Sequence, residues 1–302
     1  GFQSFPVMES VQKYATREDW SIDSPVMQLH QKHPRGNGII KAYLEADYRS
    51  PKDFSSFLYL SQVLQAEGIR LAIEAHRGAK PFCMCTLYWQ LNDCWPVASW
   101  SGIDYYGRWK ALHYAVRDAY RDLFLVVRTE KGPWQSFLVS DLPHRYPVTC
   151  VWELTRLNGD ILYTHTLRVD LAPQEKQEFL LSELQAEARK YPAAGVCLRY
   201  RIETGEGVAY RHATYLVPVR ELELEEPDLQ WNVHSGTDSV DISVSSNKLV
   251  KNLYLWLPEE EGHFSDNFFD LFPGEPRRIT LRGVDPKRCS PERLRWTSIY
   301  QT

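Results

Sequence analysis

The feature that most constrains this chain is a change of hydrophobic period near residue 123. Before it, apolar residues recur at helical spacing between loops rich in Pro and Gly; after it they alternate, in short runs separated by turn residues. On the helical side, Lys52 to His76 carries Phe57, Leu60, Leu64 and Leu71 on one stripe with Val63 beside it. That spacing predicts an amphipathic helix of several turns. Gly36-Asn37-Gly38 marks the turn before an earlier helical run, and Trp109, Leu112, Val116 and Ala119 predict another within Gly107 to Tyr120. Between these lies a continuous, mostly apolar run from Phe82 to Trp89, long enough for a strand buried on both faces, as in a parallel sheet. Helix, buried strand, loop and helix form an α/β pattern of the kind found at the end of a barrel.

The alternating side predicts two small antiparallel β-sandwiches. Strands of the first are Leu123 to Val127, Ser136 to Ser140, Val148 to Leu154 and Val196 to Ile202, with turns at Leu157 to Asp160 and Thr204 to Gly207. Glu183 to Lys190 is its one helical insertion. The acidic stretch Glu221 to Asp228 reads as a solvated strand leading into a hinge. Strands of the second sandwich are Gln230 to His234, Ser239 to Ser245, Lys251 to Leu257 and Arg278 to Arg282. The expected division is therefore 1–122, 123–221 and 222–302, and no repeat of solenoid period interrupts it.

Length and composition agree with such a chain. Its 302 residues leave room for two or three domains, and 43% hydrophobic with 25% charged residues is ordinary globular usage. Apolar runs such as Asp122 to Arg128 fall far short of the roughly 20 residues that cross a bilayer, so no membrane partner is expected. A net charge of −4 with interspersed Lys and Arg offers no basic face, which argues against nucleic acid. The 10 Trp and 17 Tyr stand out, with several Trp crowded into one stretch. Such rings stack on sugars or pack cores, and composition does not choose between the two.

Neither cofactor nor metal is expected. Cys83, Cys85 and Cys94 lie near one another without the spacing of a zinc site, and Cys150 and Cys197 could bridge the two sheets of a sandwich. His30 and His33 lack a third ligand. Glu259, Glu260 and Glu261 with Asp266 and Asp270 lack the ligand register and central Gly of an EF-hand loop. Gly1 to Pro6 has neither the charged nor the apolar region of a signal peptide and reads as interior sequence, with Ser4 before Pro6 at a helix start.

Three segments in order carry a family resemblance: Gly1 to Pro6 (GFQSFP), Tyr88 to Pro96 (YWQLNDCWP) and Ser265 to Glu275 (SDNFFDLFPGE). Together they resemble the retaining β-mannosidases of glycoside hydrolase family 2. The resemblance implies the carboxy-terminal portion of a (β/α)8 TIM barrel followed by two immunoglobulin-like antiparallel β-sandwiches. It implies that the nucleophilic Glu falls just before Gly1 and the acid/base Glu earlier still, so that the chain holds no catalytic residue and is inactive alone. Phe82 to Tyr88 becomes barrel strand eight, and Trp89 the tryptophan packed against the sugar. Asn92 and Asp93 either bond sugar hydroxyls or order the loop, with Trp95 a further contact and Trp100 a secondary one. Expected partners are a β-mannoside or manno-oligosaccharide, the missing amino-terminal part of the barrel, and a second copy meeting the uncovered half-barrel. Family habit suggests the periplasm, secretion or the lysosome. Two alternatives stay open: a carbohydrate-binding or structural β-sandwich module, and a family 2 enzyme acting on another β-glycoside.

Overall fold

The structure is a computed structural model describing residues 1–302. Five helices come first: α1 (Met8–Val11), α2 (Pro25–Leu29), α3 (Gly36–Asp47), α4 (Phe54–Gly78) and α5 (Ala111–Ala119). Next are β1 (Leu123–Arg128), β2 (Gln135–Ser140), β3 (Tyr146–Arg156), β4 (Ile161–Leu171) and β5 (Lys176–Leu180), then α6 (Ser182–Ala188), β6 (Val196–Thr204) and β7 (Gly207–Tyr215). The chain ends with β8 (Leu229–Ser235), β9 (Ser239–Ser246), β10 (Val250–Trp256), β11 (His263–Phe264), β12 (Phe269–Leu271), β13 (Arg277–Arg282) and β14 (Arg295–Thr297). Contacts divide it into two compact units, one of Gly1–Ile69, Tyr88–Val116 and Glu225–Thr302, the other of Arg70–Leu87 and Arg117–Leu224.

The long helix α4 forms where the apolar stripe predicts it. Asp53 caps it, its Oδ1 accepting from the Ser56 amide at 2.7 Å, and no Pro interrupts the helix. Phe57, Leu60, Val63 and Leu64 are buried, whereas Leu71 is 54% exposed and leaves the stripe. Arg70 and Glu74, an ion pair at 2.7 Å, are instead the buried pair of that turn. Helix α5 begins after Trp109, which sits in the preceding loop.

One expectation for the first 122 residues fails. Phe82 to Tyr88 is not a strand buried on both faces: it has no regular structure, with Phe82 97% and Leu87 92% exposed. A parallel strand needs hydrogen-bonded neighbours at its edges, and no other segment of the chain pairs with this one. The strand pairing before residue 123 consists of four isolated bridges among residues 4–109.

The second unit is a sandwich of a three-stranded sheet, β1-β2-β5, and a four-stranded sheet, β4-β3-β6-β7, with every pair antiparallel. Trp152 on β3 is fully buried between them. Its indole Nε1 donates to Ser136 Oγ on β2 at 3.0 Å, so the one polar atom of this large core side chain is satisfied. Cys150 and Cys197 do not bridge the two sheets. Both belong to one sheet, where Cys150 pairs with Ile202 and Cys197 with Thr155, about 16 Å along β3 at the usual rise, and neither is in a disulfide.

The carboxy-terminal sandwich, within the first unit, has the same plan, with sheets β11-β13-β9-β8 and β12-β10-β14 around an aliphatic core. The acidic stretch before it is irregular rather than a strand, and Leu222 within it is buried. The SDNFFD segment shapes one edge. Asn267 Oδ1 accepts from the Leu255 amide and Nδ2 donates to the Leu255 carbonyl, both at 2.8 Å, so its side chain replaces a strand neighbour. Phe268, at φ +57°, stacks on Tyr254 at 4.5 Å and Tyr59 at 6.0 Å. Tyr59 OH donates to the Asn252 carbonyl at 2.6 Å, fastening the sandwich to α4. The acids weighed for calcium face cations here: Glu260 meets Arg288 and Arg293, Glu261 meets Lys13 and Arg108, Asp266 meets Arg277 and Asp270 meets Lys251.

Candidate functional site

Trp89 ends the exposed segment with 70% of its surface free, and the peptide joining it to Gln90 is cis. From Gln90 onward the backbone is tied down. Gln90 N donates to Trp100 O at 3.1 Å, Gly102 N to Gln90 O at 3.0 Å, Ile103 N to Leu91 O at 2.9 Å and Asp93 N to Ile103 O at 3.2 Å. The two arms of the loop thus brace each other from the residue after Trp89 onward.

Asp93 is turned inward, only 5% exposed. Its Oδ1 accepts from Ser99 Oγ at 2.7 Å and Gln90 Nε2 at 3.2 Å, and its Oδ2 from Ser101 Oγ at 2.5 Å. A carboxylate so occupied orders the loop and leaves little to offer a ligand. Asn92 is exposed, its Nδ2 donating to the Asp93 carbonyl at 3.2 Å, and Gln90 Nε2 ties both residues together by bonding Asn92 O at 3.0 Å. Trp95 is half-buried against His30 at 5.6 Å, and His30 in turn stacks on Tyr14 at 4.2 Å. Of the four candidates, Trp89 and Asn92 face solvent, Asp93 lies beneath them and Trp95 docks on His30.

Sequence reasoning missed what holds this loop. Lys110 is fully buried, with Nζ donating to the Ser4 carbonyl at 3.2 Å and to Ser101 Oγ at 3.4 Å. Burial pulls its ammonium down to about 8, against the pull of the Asp93 and Asp104 carboxylates, so it stays mostly charged at neutral pH. Ser4 and Ser99 exchange backbone bonds at 2.9 and 3.1 Å, and Ser4 Oγ donates to Gln65 Oε1 at 2.6 Å, so Ser4 caps no helix. Asp104 accepts from Ser10 Oγ at 2.5 Å and from the amides of Tyr106 and Arg108; burial raises its carboxyl. The signal available was Ser61, Gln62 and Gln65, polar residues on the buried side of α4 that need buried partners. The arrangement presents a rigid indole over a fixed floor. It supports stacking and positioning, while both loop carboxylates are committed to hydrogen bonds.

The two sandwiches match known families: residues 132–221 match one described as a mannosidase Ig/CBM-like domain, and residues 224–302 one described as an Ig-fold domain of mannosidases. They define an immunoglobulin-like region of the kind found in glycoside hydrolases. The chain is 26% identical to β-mannosidase A of Aspergillus terreus over 92% of its length, and 27% identical to β-mannosidase B of Aspergillus clavatus over 95%. It spans about a third of the length of these relatives, 34% and 36%. In fold it resembles the β-D-mannosidase of Dictyoglomus thermophilum, with a TM-score of 0.87 at 24% identity over 99% of this chain and 36% of that one. An exo-chitosanase of Amycolatopsis orientalis is more distant, at 0.73 and 14% over 98% of this chain and 41% of that one. The two sandwiches thus match mannosidase domain families, and nearly the whole chain is similar in sequence to β-mannosidases.

Proposed function

We propose that this chain supplies the sugar-stacking wall and supporting sandwiches of a retaining exo-β-mannosidase, which removes terminal non-reducing β-D-mannosyl residues. The observation that carries this reading is the exposed Trp89 indole on a loop pinned from below by Asp93 and Lys110, in a chain of this family. An indole face gives a pyranose an apolar contact, excludes water beside the oxocarbenium-like transition state and orients the ring for attack. Asn92 bonds a sugar hydroxyl, Trp95 borders the pocket, and Asp93 acts through the loop. Retaining hydrolysis needs two carboxyl groups about 5–5.5 Å apart. Asp93 and Asp104 are held as structural acceptors, so the 302 residues alone are expected to turn over no β-mannoside.

On this reading residues 1–122 are the end of a (β/α)8 barrel, followed by sandwiches at 123–221 and 222–302. Support comes from the exposed Phe82, Met84 and Leu87, apolar residues at the place where neighbouring barrel strands would cover them. The partner is the amino-terminal part of such a barrel, and in its absence a second copy of this chain. The test is hydrolysis of an aryl β-D-mannoside after adding a polypeptide that carries that part. Trp89→Ala should lower kcat/KM by roughly 100-fold, about 3 kcal/mol of transition-state stabilisation. A change of less than about twofold would remove Trp89 from the sugar site.

A further inference from the structure

Away from the Trp89 loop, the first unit contains a cavity of about 280 Å³. It opens where Val7–Glu9 and the first turns of α4 meet β10 and β14 of the carboxy-terminal sandwich. Its size lies near the lower end of the roughly 300–1,000 Å³ of small-molecule sites, suited to a single ring rather than a large cofactor. One wall is aromatic. Tyr59, Phe268, Tyr254 and Trp256 form a continuous stack, with successive ring centroids 6.0, 4.5 and 5.1 Å apart and planes within 16–18° of parallel. Trp256 ends that stack, half-buried at the cavity.

The lining also holds polar side chains, several of them already engaged. Gln62 donates to the Phe5 carbonyl and accepts from the Ala111 amide, Asp53 caps α4, and Lys52 bonds the Gln301 carbonyl. Among the lining acids Glu9 differs from Asp53: its carboxyl bonds only its own backbone amide, and burial raises it above the usual range. The cavity therefore presents a stacking face and a carboxylate with unused acceptor capacity. The fit is a molecule with an apolar face and a hydroxyl rim. The lining carries two acids, Glu9 and Asp53, and one ammonium, Lys52, while Arg108 and Asp104 act on Glu9 in opposite senses, so the charges largely offset and suit a neutral guest.

We infer that this cavity is a second saccharide site, holding one neutral pyranose residue between the Trp256 ring and the Glu9 carboxylate. It does not rest on the role given to Trp89. The indole N–H resonances of the 15N-labelled chain, titrated with methyl β-D-mannopyranoside, provide the test. The Trp256 resonance should shift and saturate with a Kd in the millimolar range. Trp256→Ala and Glu9→Leu should each weaken binding about tenfold or more, the loss expected when a stacking face or a charged acceptor is removed. Should Trp256→Ala fail to fold, Glu9→Leu alone decides, with thermal unfolding confirming its integrity. Trp89→Ala should leave the Trp256 shift intact. Three results would overturn the inference: no Trp256 shift at about 100 mM glycoside, loss of the shift in Trp89→Ala, or a shift with tetramethylammonium in place of the glycoside.

Discussion

A methyl group on Gly68 would lie 2.4 Å from two carbons of the Phe2 ring, which packs against α4 at that point. Gly68→Ala gains about 1 kcal/mol of helix propensity and loses roughly 1–3 kcal/mol to overpacking, so urea denaturation should show a net loss of stability. Lys110 makes a prediction with a definite sign. Its folded pKa of about 8 lies below its ordinary value, so both states hold the proton at pH 7, and only the unfolded state holds it between about 8 and 10. The Lys110 contribution to stability should therefore rise with pH across that window. Comparing the chain with Lys110→Met at pH 7 and pH 9.5 should show the stability difference shifting toward the native residue by on the order of 1–3 kcal/mol. A flat difference would place the Lys110 ammonium in a wetter site. The Trp89 loop could be singled out as a candidate site because three ordered motifs mark it. The Ser4, Gln65, Asp93 and Lys110 network could not be, because a buried polar cluster gathers residues 61 and 106 positions apart and has no local period.

The elements that could be read from sequence are those that carry their own burial signal. Helix α4 shows a stripe, and β3, β6, β9 and β10 are interior strands with buried apolar runs. Every strand that went unread, β4, β5, β7, β11, β12 and β14, lies at a sheet edge, where one side is open and alternation fades. The segment from Phe82 to Tyr88 erred in the other direction: its composition suits a buried strand, yet burial also requires neighbours. At the β10 edge, Asn267 supplies by side chain what a missing strand residue would supply by backbone. Asn267→Ala leaves the Leu255 amide and carbonyl without those partners and should cost about 2–4 kcal/mol, read as a lower unfolding midpoint. Loss of less than 0.5 kcal/mol would mean that water replaces the side chain.

For the second unit, Phe82, Met84 and Leu87 form an exposed apolar run. Several hundred Å² of such surface is worth several kcal/mol when covered, enough to drive weak association. Sedimentation velocity should show reversible self-association at micromolar to millimolar concentration, abolished in Phe82→Ser/Leu87→Ser; a monomer at all concentrations would refute it. The two sandwiches and the family were legible from patterns within the chain, whereas a barrel sheet depends on strands these residues do not contain. On the proposed function this chain builds one wall of a β-mannosidase site and contributes none of its acid–base chemistry. Hydrolysis of an aryl β-D-mannoside, measured for the chain alone and with the amino-terminal barrel portion added, tests it most directly. The account predicts no turnover by the chain alone and turnover on mixing; turnover by the chain alone would contradict it.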